Sequence, residues 1–211
     1  MMSQYDSDYF SEREKTALNW IKNVGSEFVS KILQRNQVNF VLDVGCGSGL
    51  WLTELKKMGF NVVGTDISKD ALRRSKQVLS DVCFLPFGTN TFDGVIILEV
   101  IEHLNSEECS KLLAEISRVC KKNGTVIIST PNGLSIGRFI YGHKWIGYTD
   151  PTHVKFYAPK NLVQLMESFN FVDLHWITNY IYPSPSPMKY VFQLPALRYL
   201  GPDTLIWGVK S

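Results

Sequence analysis

The stretch from Phe40 to Leu50 constrains this chain more than any other. An apolar run from Val38 to Leu42 ends at Asp43. Gly45, Gly47 and Gly49 follow at a spacing of two, and a helix-compatible segment begins at Leu50. The pattern predicts a buried strand that turns tightly into a helix, with backbone exposed where side chains would normally stand. Such a turn presents main-chain N–H groups and a helix N-terminus to a small ligand. The spacing is Asp-x-Gly-x-Gly-x-Gly rather than the Gly-x-Gly-x-x-Gly of dinucleotide sites. Asp43 beside the glycines is a poor neighbour for a pyrophosphate and a good one for a positively charged ligand.

The rest of the chain alternates. Ser11 to Gln34 carries Leu18, Ile21, Val24, Phe28, Ile32 and Leu33 at helical spacing, so residues 1–36 are expected to form an N-terminal helical cap. Strands are predicted at Val38–Leu42, Phe60–Thr65, within Gln77–Ser80, at Phe92–Leu98 and at Thr125–Thr130. Two more fall near Phe171–Thr178 and Asp203–Val209. Helices are predicted at Leu50–Met58, from Ser68 to about Lys76, at Ser106–Cys120 and at Lys160–Phe169. Strands that alternate with helices, and read as continuous apolar runs, predict a doubly wound α/β fold with a mainly parallel sheet and helices on both faces. The 211 residues, 45 % of them apolar, suit a single domain with a real core. Two segments break the alternation: 131–158, rich in aromatics, and 182–202, rich in proline. Long connections of this kind are usually functional, and both are expected to act as lid or acceptor-side excursions. The second is also a candidate dimer contact.

The formal net charge of +2 does not by itself imply a nucleic-acid partner. No apolar run is long enough to span a bilayer, and no secretory leader is expected in the polar, acidic start. Cys46, Cys83, Cys109 and Cys120 form no Cys-x-x-Cys pair and read as reduced thiols of a cytoplasmic protein.

Ligands of open parallel sheets bind beyond the carboxyl ends of the strands. Asp43, Asp66, Asp81 and Glu99 all fall at or just beyond predicted strand ends. An acid ending the second strand can accept both hydroxyls of a ribose. Leu42 to Gly49 resembles motif I of the class I S-adenosylmethionine-dependent methyltransferases. Asp66 is similar to their ribose-binding acid, followed by Ile67. Leu85-Pro86-Phe87 with Phe92-Asp93 resembles the approach to their fourth strand, which aligns Asp81 and Val82 with the adenine contact. Glu99 to Leu104 resembles the ubiquinone-biosynthesis O-methyltransferase branch. The resemblance spans about Val38 to Phe171. It implies a seven-stranded sheet with an antiparallel last strand, and S-adenosylmethionine held by Asp43, Gly45, Cys46, Gly47, Gly49, Asp66, Ile67, Asp81, Val82 and Glu99. Cys46 also reads as a small filler of the turn, Asp66 as a helix N-cap, and Asp81 as an ordinary loop acid.

Methyl transfer needs an aligned nucleophile, exclusion of water and, for a hydroxyl acceptor, a base. Of the four histidines, His103 and His153 are the candidate bases; His143 and His175 carry no motif. A helical turn from Glu99 would put Glu99, Glu102 and His103 on one face. With His153 they form a candidate site for Mg, Mn or Zn. That set resembles the small-RNA 2′-O-methyltransferases, although the same residues occur in relatives that methylate phenols and sugars. Three readings stay open: a metal site, a metal-free histidine base, and a structural role. The expected acceptor is a small molecule or sugar, with an RNA ribose hydroxyl as runner-up. The alternative classes are an S-adenosylmethionine-binding module without turnover and, disfavoured by the glycine spacing, a nicotinamide oxidoreductase. Arg138, Lys144 and Lys155 interleave with Phe139, Tyr141, Trp145, Tyr148, Phe156 and Tyr157, a mixture that can stack a ring, attract an acidic group or simply anchor the loop.

Overall fold

A computed structural model of the protein describes residues 26–75, 77–178 and 198–211. The cap before Ser26, and the second excursion up to Leu197, lie outside the described residues. Along the chain run α1 (Ser26–Arg35), β1 (Phe40–Val44), α2 (Leu50–Lys57), β2 (Asn61–Asp66), α3 (Lys69–Ser75), β3 (Val78–Leu79) and β4 (Phe92–Leu98). There follow α4 (Ser106–Val119), β5 (Cys120–Pro131), α5 (Ile136–Tyr141), α6 (Ile146–Thr149), α7 (Pro159–Glu167), β6 (Phe171–Thr178) and β7 (Asp203–Lys210). The strands form one seven-stranded sheet in the order β3-β2-β1-β4-β5-β7-β6. The first five are parallel; β7 inserts antiparallel between β5 and β6, as expected.

Burial on both faces explains the unbroken apolar runs. Val41, Leu42 and Val44 of β1, Val95 to Ile97 of β4 and Val126 to Ile128 of β5 are closed to solvent. One face carries α4 and α7 through Leu112, Leu113, Ile116, Leu162 and Met166. The other carries α1 and α2 through Val29, Leu33, Leu52 and Leu55. Each such side chain contributes about 1.5–3 kcal/mol by leaving water. Asn105 starts α4 with a capping box: its side chain accepts from Glu107 and Glu108 N–H, and Glu108 returns a bond to the Asn105 N–H.

Three boundaries differ from expectation. The first strand runs Phe40–Val44 rather than Val38–Leu42. Gln37 turns the chain in a left-handed conformation, and Asp93 Oδ2 accepts the Phe40 N–H at 2.9 Å, so pairing starts later and Asp43 lies inside the strand. Strand β5 begins at Cys120, across a register shift opposite Phe92 and Gly94. The 131–158 excursion is not a plain loop: it holds α5, α6 and a 3₁₀ turn over Gly142–Lys144.

Candidate active site

The carboxyl ends of β1, β2 and β4 build one edge of the site. The turn after β1 runs through Gly45, Gly47 and Gly49 with φ of 73°, 51° and 81°. Those left-handed values explain the three glycines. A Cβ on Gly45 would stand 2.4 Å from Val100 Cγ2, so the turn and the chain leaving β4 are packed backbone to side chain. The N–H groups of Gly45 and Cys46 both donate to Thr65 O at 2.8 Å, which ties the turn to β2. Asp66 completes the tie: its Oδ2 accepts the Gly47 N–H and its Oδ1 the Ser68 N–H, each at 2.8 Å. Burial pushes the Asp66 carboxyl up, and the backbone N–H groups pull it back. Asp66 therefore supports the turn itself besides standing at the strand end. Cys46 turns its side chain into the core; a Cβ on Gly64 would approach its Sγ to 2.7 Å. Ile67 is exposed beside the turn. Asp81 is exposed and uses Oδ1 to accept the Cys83 N–H at 2.8 Å, with Val82 half-buried next to it.

Asp43 is the residue out of balance. It is 2 % exposed, and its Oδ2 has no hydrogen-bond partner among the described residues. Burial, then the charge of Asp66, push its carboxyl up to about 8. A cationic group at this edge would satisfy the orphaned oxygen and favour the ionised form.

The ends of β4 and β5 supply the other edge. Glu99 leaves β4 with φ of 58°, and the 3₁₀ turn begins only at Ile101. The shared helical face expected of Glu99, Glu102 and His103 is therefore absent, because the backbone at Glu99 is left-handed. Glu99 Oε1 accepts from Ser129 Oγ at 2.7 Å instead. Glu102, His103 and His153 do converge, with one ligand atom of each lying within 4.8 Å of the others. The expected four-residue set is thus reduced to three.

The hydrogen bonds around this cluster fix its tautomers. His153 Nδ1 lies 2.7 Å from Gly147 O, and a carbonyl only accepts, so Nδ1 carries the proton. His103 Nδ1 lies 3.3 Å from Thr152 O and 2.8 Å from Thr152 Oγ1. The Thr152 hydroxyl donates to Asp150 Oδ1 at 2.6 Å, so it accepts from His103. In both neutral rings the lone pair then sits on Nε2. His153 Nε2 faces Glu102 Oε1 at 3.8 Å and Asp150 Oδ2 at 3.5 Å, and the two imidazoles are 4.7 Å apart. Glu102 is fully buried. Its Oε2 accepts from Thr130 Oγ1 at 3.0 Å, and its Oε1 has no hydrogen-bond partner among the described residues. Burial, then the charge of Glu99, push its carboxyl well above the usual range. A lone pair and two carboxylate oxygens turned toward one point require a proton or a cation between them. One carboxylate with two Nε2 donors, each Nδ1 proton held by an oxygen, suits a divalent metal of the Zn or Mn type.

The 131–158 excursion closes over this edge. Trp145 is buried and packs against Tyr148 and Phe156 with centroids 5.0 Å apart in each pair; Phe156 touches His153. Arg138 donates to Tyr148 OH at 2.6 Å and to Gly133 O at 3.0 Å. These rings anchor the excursion, whereas Phe139, Ile140 and Tyr141 on α5 are exposed. His143 is exposed, and His175 stacks on Trp207 beside Asp173, so neither joins the cluster. Sequence reasoning missed Asp150 and Thr152, which orient His103 and His153. The signal was present in Asp150-x-Thr152, an aspartate able to take the backbone N–H two residues on, as Oδ1 does at 2.8 Å.

A family model described as a methyltransferase domain matches residues 13–175. An uncharacterized protein of Methanocaldococcus jannaschii is 33 % identical over 136 residues, covering 61 % of this chain and 58 % of its own length. The ubiquinone biosynthesis O-methyltransferase of Rickettsia bellii is 30 % identical over 148 residues, covering 62 % of this chain and 60 % of its own. The chain thus spans about three-fifths of the length of these curated relatives. Among solved structures, a SAM-dependent methyltransferase from Archaeoglobus fulgidus superposes with a TM-score of 0.68 at 27 % identity, over 88 % of this chain and 95 % of its own.

Proposed function

Because the chain belongs to the class I S-adenosylmethionine-dependent methyltransferase family, we propose that it transfers the methyl group of S-adenosylmethionine to a hydroxyl oxygen of a small molecule or sugar. The observation that carries the hydroxyl acceptor is the pinning of both Nδ1 protons, which leaves basic nitrogens at His103 and His153 beside the cofactor edge.

The cradle fits the donor molecule. Asp43, with its orphaned oxygen, holds the cationic amino-acid end. Gly45, Gly47 and Gly49 let the backbone close on the ligand. Asp66 accepts from the ribose hydroxyls, Ile67 covers the base, and Asp81 with Val82 meets the adenine. The sulfonium is already activated, so the acceptor side has to align an oxygen with the methyl group and remove its proton. His103 is the base of this reading. His153, 6 % exposed at its side chain, and Glu102 hold the charge that develops when His103 takes the proton.

In the metal-bound alternative Glu102, His103 and His153 would instead hold a divalent ion, which would lower the pKa of the acceptor hydroxyl, and His103 would be a ligand rather than the base. The same three residues favour a second reading, metal-dependent 2′-O-methylation of RNA. A panel of phenols, sugars and short RNAs scored for S-adenosylhomocysteine release, with and without chelator, tests both. Turnover of a hydroxyl compound supports the proposal. Turnover of amines or thiols only, or of none in the presence of bound S-adenosylmethionine, overturns it. Indifference to chelator removes the metal.

A further inference from the structure

We propose that Lys160, Arg198, Trp176 and Tyr199 form a platform on the acceptor side that binds an anionic group, phosphate or carboxylate, of the methyl acceptor. This rests on the methyl-transfer reading above and narrows its acceptor class.

Charge is segregated along this part of the sequence. Between Pro131 and Pro202 the acids are Asp150, Glu167 and Asp173, against Arg138, Lys144, Lys155, Lys160, Lys189 and Arg198. None of the three acids offsets the platform. Asp150 is buried and turned to Thr152 and His153. Glu167 ends α7, about 10 Å of helix from Lys160. Asp173 faces His175 at 3.2 Å. The cofactor edge, by contrast, carries Asp43, Asp66 and Asp81.

The platform is compact. The Arg198 guanidinium lies 5.2 Å from the Trp176 ring centre and 5.0 Å from that of Tyr199. Lys160 Nζ stands 5.4 Å from the Tyr199 ring, and the two rings are 4.9 Å apart. Arg198 Nη2 donates to Tyr199 OH at 3.0 Å, and the two cations hold the phenol below its usual range. Both cations are exposed, and neither forms an ion pair among the described residues. Two exposed cations over two aromatic faces, with no ion pair among the described residues, suit a phosphate or carboxylate carried on a ring.

The backbone ties this platform to the reaction centre. Asn132, fully buried, donates through Nδ2 to Tyr199 O at 2.7 Å and to Gly201 O at 2.6 Å. Thr178 Oγ1 donates to Arg198 O and accepts the Gly201 N–H at 3.2 Å. Thr130, which holds Glu102, lies two residues before Asn132, or about 7 Å of strand.

The test is titration of the full chain with phenyl phosphate, benzoate, phenol and a ten-nucleotide RNA by calorimetry, in wild type and in Lys160→Ala/Arg198→Ala. S-adenosylhomocysteine is titrated in parallel. Phenyl phosphate or benzoate should bind at least tenfold more tightly than phenol, and the double variant should erase the difference while S-adenosylhomocysteine affinity holds. Lys160→Arg should retain binding, which separates charge from folding damage. Equal binding of phenol and its charged analogues in wild type overturns the platform while leaving the methyl-transfer reading intact. Loss of S-adenosylhomocysteine binding in wild type strikes that reading instead. RNA binding tighter than phenyl phosphate, weakening steeply with salt, overturns the small anionic acceptor.

Discussion

Gly45→Ala tests the geometry of the cofactor turn directly. The added Cβ would sit 2.4 Å from Val100 Cγ2, on a backbone with φ of 73°. The left-handed conformation costs an alanine about 1–2 kcal/mol. The overlap adds about 1–3 kcal/mol, the usual range for an extra methyl in a packed site. The expected loss is about 2–5 kcal/mol in urea denaturation, read from the midpoint at constant slope. Val100→Ala removes the atom that is struck. In that background Gly45→Ala should cost only the backbone part, so the double-mutant cycle should return a coupling of about 1–3 kcal/mol. A coupling near zero, with Gly45→Ala still destabilising, would mean that the turn and the chain after β4 are not in contact. A neutral Gly45→Ala would refute the left-handed turn altogether.

Further outcomes follow from the same edges. The Asp43 carboxyl is raised to about 8 in the folded chain, so its contribution to stability is complete at low pH and is lost as pH rises from the ordinary carboxylate range through about 8. Asp43→Asn should flatten that part of the urea-midpoint profile, and an unchanged slope would refute the assignment. Asp66→Ala should weaken S-adenosylmethionine binding by about 2–3 kcal/mol in calorimetry, and unchanged affinity would refute its ribose role. Thr152→Val removes the oxygen that fixes His103 Nδ1; turnover should fall about 10–100-fold with cofactor affinity unchanged, as for other groups that orient a functional imidazole. Asn132→Ala strips a bond each from the Tyr199 and Gly201 carbonyls, the second buried, and should destabilise the chain by about 2–3 kcal/mol on thermal melting.

The fold was readable because its strands are closed on both faces, so Phe92–Leu98 could hardly be anything but a central strand. The glycine turn was readable because left-handed backbone leaves its mark on residue choice. The site was readable only as far as chemistry is carried by residue type. Glu102, His103 and His153 could be named, but their meeting depends on Val154 and Lys155 N–H bonding to Glu102 O, a contact no spacing reports. Glu99 misled because a single left-handed φ breaks the helical count from which its partnership was inferred. Trp145 and Phe139 look alike in sequence; one is buried under the excursion and the other exposed, a difference set by packing rather than composition.

Inserting β7 between β5 and β6 sends the chain back to the reactive edge after the cofactor cradle is complete. The proposed cradle comes from the ends of β1, β2 and β3, whereas the platform and the aromatic cover come from the elements and connections that follow β5. On the proposed reading, donor binding rests mainly on the chain before β5 and acceptor binding mainly on the chain after it. Exchanging the later connections between homologues should redirect the enzyme to new acceptors without rebuilding its methyl supply.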